Sequence, residues 1–442
     1  MVSIDDVTSF ICEQEQALDL FSITNQGIHV WPFLRVRVCV KLEQMLGIIS
    51  QPHDKSKKLS RLESYSKAFF YDTKAKLYHK RHDTIIVPHY RKQMINQEAI
   101  DIYTHYIEAS TTDYILVERY DKSNIKTKNK GLIVLKESAL DLYQHHIKRA
   151  IGDCHEIQAF DELTNRIRDK FHIDYDIQRE YMSQWSHFIR GYHRFKAVLQ
   201  RIKPKQVIIV VAYDKYDIVA ACKACNIKVI EVQHGIIDQH HLGYHYPNTI
   251  PSACFVDELW LFHEYWQKAA SLPLTKENIK LIGFTYFREQ SKQIQALREE
   301  HRVLVLSQGT SGTHMVSEVL ALARAHPHLQ VDYKLHPGEF NQWKERYPDL
   351  LECPSNVRVY TNELPIYQLM KQAKFCIGAY STAIYEALAL GCVGILIDIP
   401  GTRTYMKYLI EHELVYLSSN LVEDWKEIAE NASNRSSENQ YF

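Results

Sequence analysis

The sequence predicts an α/β protein of two facing Rossmann-like domains, each built on a parallel sheet, with a cleft between them. Three observations lead there. The 442 residues exceed the length over which one hydrophobic core keeps growing, so two domains are expected. From Asp83 onward, short apolar runs alternate with helical segments, the texture of repeated βαβ units around a parallel sheet. The same texture restarts after the charged stretch 288–302, giving a second series of the same kind.

Composition narrows the class further. With 45% hydrophobic and 24% charged residues, the chain is too apolar for disorder and too mixed for a fibre. Lys plus Arg and Asp plus Glu both number 53, so no global field favours a polyanion and nucleic acid is not an expected partner. Nine cysteines are dispersed, and the nearest pair, Cys222 and Cys225, lies on one helical segment; this predicts reduced thiols in the cytoplasm. The start, MVSIDDVTSF, has no basic region leading into an apolar run, which predicts no secretory signal. The apolar stretch 375–399 breaks at Ser381, Thr382 and Glu386, so it reads as strand, helix and strand rather than as a membrane span.

Taken in order, residues 1–82 read as a helical and basic region packed on the first domain, with a polar loop over 51–61. Within it, GIHVWPFLRVRV admits two readings. Trp31, Arg35 and Arg37 belong either to an element packed on the first domain or to an edge facing a membrane or an acceptor. Residues 83–287 form the first Rossmann-like domain, with strands expected at 84–88, 114–118, 131–135, 206–212, 227–232 and 258–262. Residues 288–418 form the second, running RVLVLSQG, a helix over 314–325, VDYKLHP, NVRVYTN, a helix over 366–373, FCIGAY, a helix over 382–390, and GILIDI. Residues 419–442 comprise an amphipathic helix, expected to cross back to the first domain, and a polar tail read as lying outside the fold.

In open parallel sheets ligands bind beyond the carboxyl ends of the strands, so the residues after each strand are the candidates. In VQHG, Gln233, His234 and Gly235 follow a buried strand; the glycine allows a sharp turn, and the imidazole suits a base, a phosphate ligand or a hydrogen-bonded turn. His240 and His241 continue this loop as its acceptor-facing part, and no convincing zinc spacing occurs there. In SQGTSG, Ser307, Gly309 and Thr310 open a helix where free amides favour phosphate, although a plain strand-to-helix turn has the same composition. In YKLHP, Lys334 and His336 are expected to share a strand face, and Pro337 ends the ladder. In AYSTAIYEALALG, Tyr380, Ser381 and Thr382 stand at a strand-to-helix turn, with Glu386 one turn further in position for a ribose.

The order VQHG, KLHP and YSTAIYEALALG resembles the bacterial GT-B glycosyltransferases of capsule and lipopolysaccharide assembly. Within that group the chain looks most like capsular polysaccharide biosynthesis proteins, including transferases for sialic acid and Kdo, and it is similar more distantly to the polyol-phosphate polymerases of teichoic acids. The resemblance covers roughly 205–417 and leaves the first 200 residues aside. It implies that His336 and Pro337 contact the nucleotide phosphate, that Ser381 and Thr382 complete that pocket, and that Glu386 meets the donor's ribose or sugar. The acidic pair followed by Gly that sialyltransferases of this kind carry is missing before Arg288, so a sialic-acid donor is not favoured.

Such a site displaces a nucleotide at an anomeric carbon, with no metal or resident cofactor expected and the nucleotide sugar as co-substrate. The resemblance implies a CMP- or UDP-sugar donor, an oligosaccharide or lipid-linked glycan acceptor, and a cytoplasmic protein that tolerates peripheral contact with the inner membrane. A base for the acceptor hydroxyl is expected from the first domain, with Asp214 and His234 as candidates; Asp214 reads equally as a helix N-cap. Two other enzyme classes share the layout: a CDP-polyol phosphotransferase and a sugar-nucleotide epimerase. A non-catalytic binding module is the remaining alternative.

Overall fold

The computed structural model describes residues 2–48, 77–90, 92–95, 98–119, 132–134, 155–309 and 312–432. The expected loop over 51–61 and the polar tail over 433–442 lie outside the described residues. Two N-terminal helices come first. Helix α1 (Ile4–Ala17) starts at a capping box in which Ser3 and Asp6 satisfy each other's backbone amides. Helix α2 (Trp31–Met45) takes Pro32 in its first turn, where the missing amide hydrogen costs nothing. Trp31 and Arg35 are fully buried on it, and Glu15 of α1 accepts hydrogen bonds from both, at 2.8 Å from Trp31 Nε1 and 2.5 Å from Arg35 Nε. Arg35 also donates to the carbonyls of Leu242 and His245. These contacts put Trp31 and Arg35, though not Arg37, in the packed reading. Trp31 and Arg35 fix a loop of the first domain, and of the trio only Arg37 is exposed.

The first domain carries strands β1 (Thr84–Val87), β2 (Tyr114–Arg119), β3 (Leu132–Val134), β4 (Gln206–Val210), β5 (Lys228–Val232), β6 (Glu258–Leu261) and β7 (Ile279–Leu281). All pair in parallel, in the order β7-β6-β5-β4-β1-β2-β3. After a polar first residue, strands β1 and β4 are unbroken buried apolar runs, over 85–87 and 207–210, the pattern of strands inside a parallel sheet. The longest helix, α3 (Ile177–Ile202), begins where the Asp176 side chain accepts the Arg179 amide and ends at Lys203 in the left-handed region, just before Pro204. Its buried stripe, Tyr181, Trp185, Phe188, Tyr192, Phe195 and Leu199, follows the three-to-four spacing that presses one face onto α4 (Tyr216–Ala224) and α2.

Helix α5 (Thr285–Gln293) runs across the expected boundary at 287/288 into the second domain. There the strands β8 (Glu299–Leu306), β9 (Gln330–Lys334), β10 (Val357–Tyr360), β11 (Ala373–Gly378), β12 (Val393–Ile397) and β13 (Val415–Ser418) are also all parallel, in the order β10-β9-β8-β11-β12-β13. Both sheets therefore reverse direction between their first and fourth strands, the Rossmann order. Helix α6 (Gly312–Ala325) follows β8 and α7 (Thr382–Ala389) follows β11. Helix α8 (Leu421–Asn431) departs from expectation: it stays in the second domain, burying Leu421, Trp425 and Ile428 against the α6 side of the sheet. Its apolar face had a partner nearby, so nothing drives it across.

The two domains form the GT-B arrangement and meet through aromatic side chains. Trp266 packs at 5.1 Å from Tyr385, and Phe287 of α5 at 5.4 Å from Tyr367. These contacts bring the carboxyl ends of both sheets to face each other.

Candidate active site

The second domain's reversal point lies between β8 and β11, and the loops leaving these strands are tied together by the Tyr380 amide donating to Gln308 Oε1 at 3.1 Å. Ser307 is buried, its amide bonded to the Lys334 carbonyl at 2.9 Å and its hydroxyl accepting from Tyr333 at 3.4 Å. The Gly309 carbonyl accepts from Arg346. Thr310 lies outside the described residues. Ser381 caps α7, its hydroxyl accepting the Ala383 amide at 3.3 Å, and Thr382 is the first helical residue. The turn thus presents amides and the positive end of the helix dipole.

His336 and Pro337 are exposed at the edge of this surface. The His336 Nδ1 accepts the Gly338 amide at 3.1 Å, so the ring proton of the neutral imidazole sits on Nε2, where it is a donor. Glu339, buried beneath, accepts the His336 amide at 2.8 Å and the Tyr347 hydroxyl. Lys334 does not share the exposed face of His336. Strand β9 ends at Lys334, so alternation no longer governs His336; the buried ammonium donates to the carbonyls of Thr361 and Leu364, and burial holds its pKa below the ordinary range. Glu386, half-buried on α7, accepts from the Tyr367 hydroxyl at 3.2 Å, and loss of hydration pushes its carboxyl up to about 7.

Across the cleft, the first domain's reversal point lies between β1 and β4. Val211, directly after β4, adopts φ +62°, costly for a β-branched residue, and thereby aims the next residues inward. The Ala212 amide donates to Glu231 Oε1 at 2.9 Å, and the Tyr244 hydroxyl donates to the same oxygen at 2.9 Å. That hydroxyl oxygen stands 3.1 Å from His234 Nδ1. Above about pH 7, where Glu231 is ionised and only accepts, Tyr244 donates to it and accepts from Nδ1–H, which leaves the lone pair on Nε2. The Tyr213 hydroxyl lies 3.4 Å from that Nε2, and the His89 ring stacks on His234 with centroids 5.9 Å apart. Glu231 is fully buried, its carboxyl pushed up to about 7 by desolvation against the opposing pull of its two hydrogen bonds and Lys215.

The remaining predicted residues act around this chain. Gln233 is buried and accepts the Phe262 amide at 2.8 Å while donating to the Gly235 carbonyl at 2.8 Å, so it fixes the loop rather than facing a substrate. Gly235 does not adopt the left-handed backbone expected of a sharp turn; it lies close to Thr382, whose Oγ1 would be at ordinary contact distance, 3.8 Å, from a Cβ there. This approach sets the loop after β5 against the start of α7, at the second domain's reversal point. His240 is bound to Asp5 of α1 at 2.5 Å, and its ring meets Tyr405 of the second domain at 6.3 Å. His241 accepts the Gly243 amide at 3.1 Å and packs edge-on to Tyr213. Asp214 is exposed on the turn Ala212–Lys215, on the wall of a surface cavity outside the cleft.

His89, Tyr213, Glu231 and Tyr244 escaped the sequence reading. His89 and Tyr213 obey the same strand-end rule that selected His234. Glu231 was signalled by a lone carboxylate within the apolar run KVIEV, which only a buried partner explains.

No protein-family model matches the chain, and no curated protein sequence matches it. Among solved structures, the UDP-GlcNAc 2-epimerase of Methanocaldococcus jannaschii is 12% identical with a TM-score of 0.48, the match covering 81% of this chain and 95% of that one. The UDP-GlcNAc 2-epimerase of Neisseria meningitidis bound to UDP-GlcNAc is 15% identical with a TM-score of 0.48, covering 81% and 95%. A calicheamicin glycosyltransferase is 12% identical with a TM-score of 0.47, covering 80% and 92%. At these levels the site stands on this chain's own geometry. Among the described residues no helix is long and apolar enough to cross a membrane, and no group of His, Cys, Asp and Glu converges as a metal site.

Proposed function

We propose that this chain is a glycosyltransferase that moves a sugar from a nucleotide-activated donor to a glycan of a bacterial capsule or lipopolysaccharide. The observation that carries the reading is the approach of Gly235 to Thr382, which sets an oriented imidazole opposite a helix N-terminus across an interdomain cleft. The amides at Ser381 and Thr382, with the Nε2–H of His336, are suited to the charge that develops on a leaving nucleotide. We assign Glu386 to the ribose or the sugar of the donor. His234, its Nδ1–H held through Tyr244 by Glu231, takes the proton from the acceptor hydroxyl as the anomeric bond to the nucleotide breaks. We assign the base to His234 rather than Asp214, because only His234 stands in the cleft with its orientation fixed.

The test is a thermal-shift screen of the protein with CMP, CDP, UDP and GDP and their common sugar conjugates, repeated with His336→Ala. Stabilisation by one nucleotide, reduced in the variant, supports the reading. No shift with any of them sinks it. A conjugate converted to its epimer without acceptor would move the assignment to the epimerase class.

A further inference from the structure

A cavity of about 600 Å³ opens between α2 and α3, outside the cleft, and ends at Tyr213 and Asp214. Its volume falls in the range of sites that enclose small organic ligands. One wall is aromatic: Phe33 and Phe188 stack with centroids 4.5 Å apart and rings 15° from parallel. Along the same two helices, Arg37 of α2 is held to Glu180 of α3 at 2.5 Å, beside Gln44 and Gln184. The charges lining the cavity nearly cancel, two cations (Arg37 and Lys41) against three carboxylates (Glu180, Asp214 and Asp217).

This lining excludes two ligand classes. An acyl chain needs a continuous apolar wall, and here amides and charges interrupt it. A polyanion needs an excess of cations, and here carboxylates outnumber them. A pyranose fits both halves, since its axial C–H face packs on an aromatic ring while its equatorial hydroxyls pair with amides, carboxylates and guanidinium. Tyr213 lines the end of the cavity, and its hydroxyl stands 3.4 Å from His234 Nε2. We infer that this cavity seats the acceptor, as an uncharged saccharide of two or three sugar units whose terminal hydroxyl passes Tyr213 to reach His234. The inference rests on the transferase reading and adds to it the acceptor's class and its path. The N-terminal helices then have a function beyond packing, because α2 supplies the outer wall of the acceptor site.

The test uses the full chain and three neutral probes, chitotriose, cellotriose and maltotriose, read by saturation-transfer NMR. Val40 and Gln184 line the cavity, and Val40 is 38% exposed, so Val40→Trp and Gln184→Trp fill the space with little strain on the fold; unchanged melting temperatures verify this. Saturation of at least one probe in the wild-type protein, weakened at least tenfold in both filled variants, is the expected result. Equal saturation in wild type and variants overturns the assignment of the cavity, and saturation of none of the probes overturns the uncharged saccharide class. Nucleotide stabilisation is measured on the same samples. Its absence from the wild type would count against the transferase reading alone, so the two failures are separable.

Discussion

Replacing Glu231 by Gln isolates the buried charge at the root of the His234 chain while keeping the side chain's shape. The Gln carbonyl accepts the same two hydrogen bonds, from the Ala212 amide and the Tyr244 hydroxyl. What changes is titration. Burial pushes the Glu231 carboxyl from an ordinary 4.5 up to about 7. A carboxyl whose folded pKa lies above its unfolded value keeps its proton in the folded state between the two values. Raising the pH through that window therefore withdraws stability, and the loss is complete above the folded pKa. For Glu231 the loss is about 3 kcal/mol between about pH 4.5 and about pH 8.5. The Gln variant carries no such term, whereas other groups, such as His245 with its pKa lowered to about 4 by burial, act in both proteins and cancel in the comparison. Urea unfolding followed by fluorescence of the six tryptophans supplies the assay. The variant should gain on the wild type by about 3 kcal/mol as the pH rises over that window. A difference independent of pH, or one that moves toward the wild type, would refute the buried charge.

Three further outcomes are expected. Arg35→Ala leaves Glu15 buried without its cation and frees the carbonyls of Leu242 and His245, so unfolding should cost about 3–5 kcal/mol less, read by denaturant titration. Gly312→Ala places a methyl 1.9 Å from the fully buried Tyr347 hydroxyl, and overpacking there should lower stability by about 1–3 kcal/mol and loosen the Glu339 support of His336. Gln233→Ala removes two buried hydrogen bonds that shape the His234 loop; a stability loss of about 1–3 kcal/mol should accompany a slower chemical step with nucleotide stabilisation kept.

Most of the fold was legible because buried parallel strands announce themselves as apolar runs. Two of the four edge strands of these sheets were not. Ile279–Leu281 is three residues long with Lys280 at its centre and Leu281 half exposed, and Val415–Ser418 pairs with only one neighbour, so neither needs a continuous apolar pattern. The site was legible wherever a polar residue follows a strand, as with His234, Ser381 and His336. Lys334 was misplaced because its role depends on carbonyls some thirty residues away, and the Glu231–Tyr244–His234 chain joins residues whose proximity only the folded loop creates. Trp31 and Arg35 likewise gain their meaning from Glu15 and from a loop about 200 positions on.

The most direct measurement is the rate of nucleotide release from whichever nucleotide sugar stabilises the protein, in wild type and in His234→Ala. The account predicts that the variant still binds the nucleotide but releases it from the sugar about a hundredfold more slowly, the scale of a lost general base. A rate within about threefold of the wild type, with binding intact, would contradict the assignment of His234 as the base at the meeting of the two domains.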